Sequence, residues 1–181
     1  MAEVTKVLDK EFVPFISKEQ IATRIQALGN ELTKEYQNKD VLFVSVLNGA
    51  FMFTSDLVKE IKVPLEISFV KYASYEGTES TGKVKQLIGF NADQVKGKHI
   101  VIVEDIVDTG RTMQALIKDL EGMEPASVKV VSLLFKPEAL KIPITVNYVG
   151  FEIDPNFVVG YGLDYDGFGR NIPEILVLKD K

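Results

Sequence analysis

The string Ile100-Val101-Ile102-Val103-Glu104-Asp105-Ile106-Val107-Asp108-Thr109-Gly110-Arg111-Thr112 constrains this chain more than any other stretch. Four β-branched apolar residues run straight into two adjacent carboxylates. A third acid follows at Asp108, and a small hydroxyl- and glycine-bearing turn closes the string. An unbroken apolar run of this kind suits a strand buried in a parallel sheet. Acids at the end of such a strand are strongly disfavoured unless something there wants negative charge. The chain must therefore build a well-covered sheet and, at its edge, a site that uses carboxylates beside a turn of phosphate size.

The surrounding pattern supports that architecture. Ser17-Lys18-Glu19-Gln20 has the form of a capping box, and Ile21, Ile25, Leu28 and Leu32 follow at helical spacing. A helix is expected from about Ser17 to Gln37. Val41–Val46 reads as a buried strand, broken at Asn48-Gly49, and a helix with Phe53, Leu57 and Ile61 on one face runs to Val63-Pro64. Leu65–Val70 reads as a strand and residues 74–83 as a polar, glycine-bearing loop, long enough to act as a lid. After the strand Ile100–Val103, the residues Met113, Leu116, Ile117 and Leu120 mark an amphipathic helix. Strands follow at Val128–Phe135, Val146–Phe151 and Phe157–Val159, and the glycine-richer stretch from Tyr165 is expected to fold over the sheet edge. Strands alternating with helices imply an α/β fold with a mostly parallel central sheet flanked by helices. The 181 residues suit a single domain spanning 1–181.

Ligands of open α/β sheets bind beyond the carboxyl ends of the strands, where Glu104 and Asp105 fall. The turn Asp108–Thr112 then opens a helix, whose unpaired N–H groups and positive dipole end suit a phosphate. Gly110 allows close backbone approach, and Thr109 and Thr112 add hydroxyl donors. With two acids to accept hydrogen bonds from sugar hydroxyls, the string describes a pocket for a phosphorylated sugar. Neither a Walker loop nor a dinucleotide-binding glycine fingerprint occurs. For the acids taken alone, helix capping or a solvated loop is the plain alternative.

Residues 103–112 resemble the phosphoribosyl-pyrophosphate motif of type I phosphoribosyltransferases. Further matches resemble the hypoxanthine-guanine branch of that family: Ser132–Pro137, Val149–Ile153, Phe157–Tyr165, Leu47–Ala50 and Ser74-Tyr75. The likeness covers roughly residues 10–178 in one consistent order. It implies that fold, with a small hood lobe built from the terminal segments. It also implies transfer of ribose 5-phosphate from phosphoribosyl pyrophosphate to N9 of a 6-oxopurine in purine salvage, with Mg2+ as cofactor.

The resemblance distributes roles along the chain. Glu104 and Asp105 would take the ribose hydroxyls, directly or through magnesium, and Asp108, Thr109, Gly110, Arg111 and Thr112 would cradle the 5-phosphate. Asp108 would also be the general base or acid at purine N7, although capping the next helix would explain it too. Arg111 stands where relatives often carry another residue. Lys136 would contact the purine 6-oxygen, since an ammonium only donates and suits a carbonyl rather than the amino group of adenine. Phe157 would stack on the purine and the Val158 backbone would read its edge. Asp164 would join Glu104 and Asp105 at magnesium and lie near the purine. Asn48, Gly49 and Arg170 would hold pyrophosphate, and the bond before Asn48 can be cis in the family. Ser74 and Tyr75 would belong to the lid. His99, the only histidine, is read as structural.

Two alternatives stay open. One is a guanine- or xanthine-preferring relative, since groups near the purine 2-position decide that choice. The other is an RNA-binding regulator on the same fold. A formal charge of −5 with scattered Lys and Arg weighs against nucleic acid as a partner. The chain has no cysteine, no apolar signal core at Met1–Lys6, and no run near the ~20 apolar residues that span a bilayer. A cytoplasmic homodimer or homotetramer with no membrane association is expected.

Overall fold

The computed structural model describes residues 4–74, 84–89 and 91–179. The elements, in chain order, begin with β1 (Thr5–Val7), β2 (Lys10–Ile16), α1 (Lys18–Glu35), β3 (Val41–Leu47) and α2 (Phe51–Glu60). β4 (Glu66–Ser74), β5 (Val84–Ile88), α3 (Ala92–Val95), β6 (His99–Val107) and α4 (Arg111–Glu121) follow. β7 (Ser127–Phe135), β8 (Tyr148–Glu152), β9 (Val158–Val159) and β10 (Ile175–Leu178) complete them. The larger sheet has the order β5-β4-β3-β6-β7-β8, with five parallel strands and β5 antiparallel at one edge. This is the expected mostly parallel sheet flanked by helices.

The expected capping box closes α1. Gln20 N donates to Ser17 Oγ at 3.3 Å and Ser17 N donates to Gln20 Oε1 at 2.9 Å. The stripe Ile21, Ile25, Leu28 and Leu32 is buried, as are Phe53 and Leu57 on α2. β6 shows why its run is apolar without interruption. Val101 and Val103 enter a core with α1 and α2, whereas Ile100 and Ile102 enter a second core with Met113, Leu116 and Leu120 of α4. Successive side chains point to opposite faces, and both faces are covered.

β6 is longer than its apolar run. The expected strand stops at Val103, but the ladder with β7 continues to Val107 opposite Phe135. The ladder with β3 ends where Ser45 meets Val103. β3 turns away through a cis Leu47-Asn48 bond. Residues 104–107 thus keep a strand neighbour on the β7 side and face the 47–50 turn on the other. Hydrophobicity falls at Glu104 while backbone pairing carries on.

The hood expected from the terminal segments is a four-stranded antiparallel sheet, β1-β2-β10-β9, around Phe12, Val159 and Leu176. The pattern reading assigns no strand to residues 5–16 or 175–178. Pro14 discourages one in β2, yet it sits where the register with β10 shifts between Ile175 and Leu176, an irregularity that accommodates proline. β5 was likewise not expected; it pairs with β4 up to Ser74 opposite Val84, while residues 75–83, including Tyr75, lie outside the described residues. Among the described residues, no helix is long and apolar enough to cross a membrane.

Phe43 is fully buried in the central strand β3. Phe43→Ala should cost about 3–5 kcal/mol. A urea titration should show this as a lower midpoint at unchanged slope.

Candidate active site

The site is assembled at the carboxyl ends of β6 and β7. Glu104 is buried, and burial, reinforced by the charge of neighbouring Asp105, raises its carboxyl well above the usual range. Burial also raises Asp105, opposed by hydrogen bonds from Glu104 and the Ile106 amide and by the charge of Arg170. Asp105 Oδ1 accepts the Ile106 N–H at 2.9 Å. Gly49 lies directly against the other oxygen: a Cβ there would sit 1.5 Å from Asp105 Oδ2. Only glycine lets the 48–50 turn close over this acid. That turn is tied to its flanks by Ala50 N to Val46 O at 3.2 Å and Phe51 N to Asn48 O at 3.4 Å.

Downstream of the acids the chain forms a cleft of about 110 Å³ lined by Glu104 and residues 106–113. Gly110 caps α4 with φ 80°, and a Cβ there would approach Ile142 O at 2.9 Å. The first amides of α4, from Arg111 onward, are free of intrahelical acceptors and open beside Thr109 and Thr112. The arrangement is that of an anion-binding helix start.

Lys136 follows the end of β7. Its amide donates to Val107 O at 2.9 Å, which joins the two strand ends. Its side chain is nine-tenths buried, and Nζ lies 3.3 Å from Asp108 Oδ2, whose carboxylate is half exposed. A buried ammonium beside an accessible carboxylate can donate to a ligand carbonyl while the acid handles a proton.

The remaining candidates stand on the hood. Phe157 is 41% exposed, backed by Phe12 at 6.2 Å between ring centroids and met edge-on by Tyr165 at 5.8 Å. Val158 is buried and pairs with Val177. Asp164 Oδ1 meets Arg170 Nη2 at 2.6 Å, and its Oδ2 accepts the Gly167 N–H at 2.7 Å. Arg170 also donates from Nη1 to Gly162 O at 2.8 Å. A Cβ on Gly162 would lie 2.1 Å from Gly49 O, so the hood turn and the 48–50 turn touch backbone to backbone.

Asp105, Gly49, Gly162, Arg170 and Asp164 thus form one contiguous stack, and Glu104, Asp108, Thr109–Thr112 and Lys136 line or flank the adjoining cleft. Gly162 has no role in the sequence reading, although two glycines around Tyr161 are the usual signal of close backbone approach. His99, at the start of β6, has Nδ1 2.8 Å from Ser127 Oγ. Ser74 ends β4, and Tyr75 lies outside the described residues.

The donor set fits magnesium. Adjacent carboxylates, Glu104 buried and Asp105 partly so, both raised by burial, are stabilised by a hard cation, and magnesium commonly takes one or two carboxylates and retains waters. Among the described residues no group of three or more His, Cys, Asp or Glu side chains gathers. Asp164 uses one lone pair on Oδ1 for Arg170 and one on Oδ2 for Gly167, so each oxygen keeps a further acceptor site.

The sequence matches a family model described as a phosphoribosyl transferase domain over residues 16–166. It is 44% identical over 176 residues to the hypoxanthine-guanine phosphoribosyltransferase of Lactococcus lactis, covering 96% of this chain and 95% of that protein. The corresponding Bacillus subtilis protein is 44% identical over 165 residues, 91% of each chain. The bifunctional protein TilS/HprT of Listeria innocua is also 44% identical over 165 residues, but this chain spans only 25% of its length. Among solved structures, a Staphylococcus aureus hypoxanthine phosphoribosyltransferase superposes with TM-score 0.86 at 41% identity, covering 92% of this chain and 90% of that one. A Trypanosoma cruzi hypoxanthine phosphoribosyl transferase gives TM-score 0.87 at 34% identity, covering 97% and 95%.

Gly49→Ala must open the contact with Asp105 from 1.5 Å to at least 3.0 Å, the closest a real Cβ comes. A crystal structure of the variant should show the Asp105 carboxylate rotated away or the 48–50 turn lifted. An unmoved pair would contradict the steric account.

Proposed function

This chain belongs to the phosphoribosyltransferase family, and we propose that it transfers ribose 5-phosphate from phosphoribosyl pyrophosphate to N9 of hypoxanthine and guanine. The products are IMP or GMP and pyrophosphate, which makes this a purine-salvage activity. The observation that carries the reading is Lys136 Nζ held 3.3 Å from Asp108 at the mouth of the anion-binding turn. The names of the Lactococcus and Bacillus relatives support it over the alternatives.

In this reading the start of α4 holds the 5-phosphate through the Thr109–Thr112 amides and hydroxyls. Glu104 and Asp105 orient the ribose hydroxyls. Asn48 and Gly49 present backbone amides to pyrophosphate, and Arg170 adds a planar fork suited to phosphate oxygens. Phe157 supplies a stacking face, the Val158 backbone reads the purine edge, and Lys136 donates to the 6-oxygen. The N9 lone pair forms the new bond to C1 of the ribose as the bond to pyrophosphate breaks with its electron pair. Asp108 accepts the proton that leaves N7. Glu104, Asp105 and Asp164 are the residues that would hold magnesium, which when bound neutralises charge on the departing pyrophosphate. Ser74 and Tyr75 are assigned to a lid that excludes water.

A homodimer or homotetramer is part of the proposal. Ile67 and Phe69, on β4, are 43% and 44% exposed, an apolar face suited to a second copy. A cytoplasmic location fits a chain without cysteine.

Turnover should be measured with phosphoribosyl pyrophosphate, magnesium and each of hypoxanthine, guanine, xanthine and adenine. Hypoxanthine or guanine should lead; adenine as the best substrate would sink the role of Lys136, because a buried donor would face another donor. Asp108→Asn should lower kcat by about 10²–10⁴-fold with a smaller change in KM. Retained turnover would leave Asp108 as a phosphate-loop residue only. RNA binding with a steep salt dependence and no purine turnover would favour the regulator instead.

A further inference from the structure

Asp56 and Tyr161 lie outside the machinery described above, yet they join its two halves. Asp56 is on α2, the helix that continues directly from the 47–50 turn. Tyr161 sits in the hood between Gly160 and Gly162, and all three residues have positive φ, of 98°, 48° and 100°. The Tyr161 hydroxyl donates to Asp56 Oδ2 at 2.5 Å, a contact between residues 105 apart in sequence. Tyr161 is itself buried, and Asp56 Oδ1 is held by Lys59 Nζ at 2.6 Å.

A left-handed conformation is uncommon for a bulky residue and persists where the surroundings enforce it. Here the hairpin is closed by reciprocal backbone bonds between Gly160 and Leu163, at 3.1 and 3.0 Å. The Tyr161 amide donates to Ile172 O at 2.7 Å and the Gly162 amide to Arg170 O at 3.0 Å. This conformation sends the tyrosine ring to α2 while the next residue, Gly162, presses against the Gly49 carbonyl. Arg170 also holds Gly162, donating from Nη1 to its carbonyl at 2.8 Å. The hydroxyl is therefore fastened to the helix after the 48–50 turn, and the backbone beside it to the turn itself.

We propose that Tyr161 and Asp56 are a positioning pair for the pyrophosphate subsite: their hydrogen bond sets the spacing between the 48–50 turn and Arg170. Neither residue touches substrate. The inference rests on the phosphoribosyl-transfer reading and adds to it a specific origin for pyrophosphate affinity. A purely structural role would act on the stability of the fold as a whole. A positioning role acts on ligands that bridge the two turns and spares the purine, which binds at Lys136 and Phe157.

Tyr161→Phe deletes one oxygen and keeps the buried ring, so it tests the bond with little cost to packing. The expected result is a rise of about tenfold in KM for phosphoribosyl pyrophosphate, the scale of losing a hydrogen bond to a charged group. The affinity for magnesium pyrophosphate, read by titration calorimetry, should weaken by a similar factor. The KM for hypoxanthine and kcat should stay within about twofold of wild type, the scatter of uncoupled sites. Asp56→Asn should shift the same constants in the same direction, and the double variant should be no worse than Tyr161→Phe. Lys59→Met, which removes the exposed partner of Asp56, should leave all constants unchanged.

A lower melting temperature for Tyr161→Phe with unchanged pyrophosphate affinity would overturn the positioning role. So would equal weakening toward hypoxanthine and phosphoribosyl pyrophosphate. A wild type that binds no pyrophosphate and turns over none of the four bases would instead defeat the reading of the site, and this inference with it.

Discussion

Two neighbouring carboxylates, Glu104 and Asp105, are placed where water can do little to stabilise them, and the surrounding structure answers that arrangement. β3 stops short, so its turn can reach across the end of β6. A glycine at position 49 lets that turn lie on Asp105 without a side chain between them. Arg170 supplies distant positive charge that opposes the upward shift of Asp105. The hood in turn exists within reach of these acids because its hairpin touches the same glycine. A buried Glu104 beside a partly buried Asp105, both raised by burial, is costly as a structural feature alone and well suited to ligands that bring cations and hydroxyls.

The three acids of the central string are separated by their surroundings. Glu104 is buried and raised further by the charge of Asp105, whereas Asp105 is partly buried and relieved by hydrogen bonds from Glu104 and the Ile106 amide. Asp108 lies past the end of the strand, half exposed, with an ammonium as its neighbour. Of the three, only the third joins an exposed carboxylate to direct contact with a buried ammonium. Spacing along the string does not reveal this difference. It arises because the chain leaves the sheet between Val107 and Gly110.

Much of the core was legible in the sequence because burial writes a period into it. The helical stripe of Ile21, Ile25, Leu28 and Leu32, the capping box at Ser17, and the unbroken run of Ile100–Val103 each report a local rule that the fold obeys. Of the hood strands only β9 was legible, inside the run Phe157–Val159; β1, β2 and β10 were not. β1 and β10 are short, β2 carries Pro14, and the pairing of β2 with β10 joins opposite ends of the chain, so no local window contains the signal. β6 was read too short for a related reason: hydrophobicity marks burial, whereas backbone pairing with β7 continues under acidic side chains. Among site residues, Lys136 was identified by family resemblance. The part of Gly162 depends on which backbone it meets across the fold, and that contact has no local signature.

The hood also has a consequence for the order in which the molecule is made. β2 pairs on one side with β1, which precedes it immediately, and on the other with β10. Every element of the main sheet lies between β2 and β10 in the chain. During synthesis the main sheet and the turn before α4 can take shape first, since all their residues precede β10. The wall that carries Phe157 must wait for Ile175–Leu178 to emerge. Until then Phe12 lacks Leu176, one of the residues that bury it in the finished hood. Assembly of the hood is the long-range, slow closure that completes the protein.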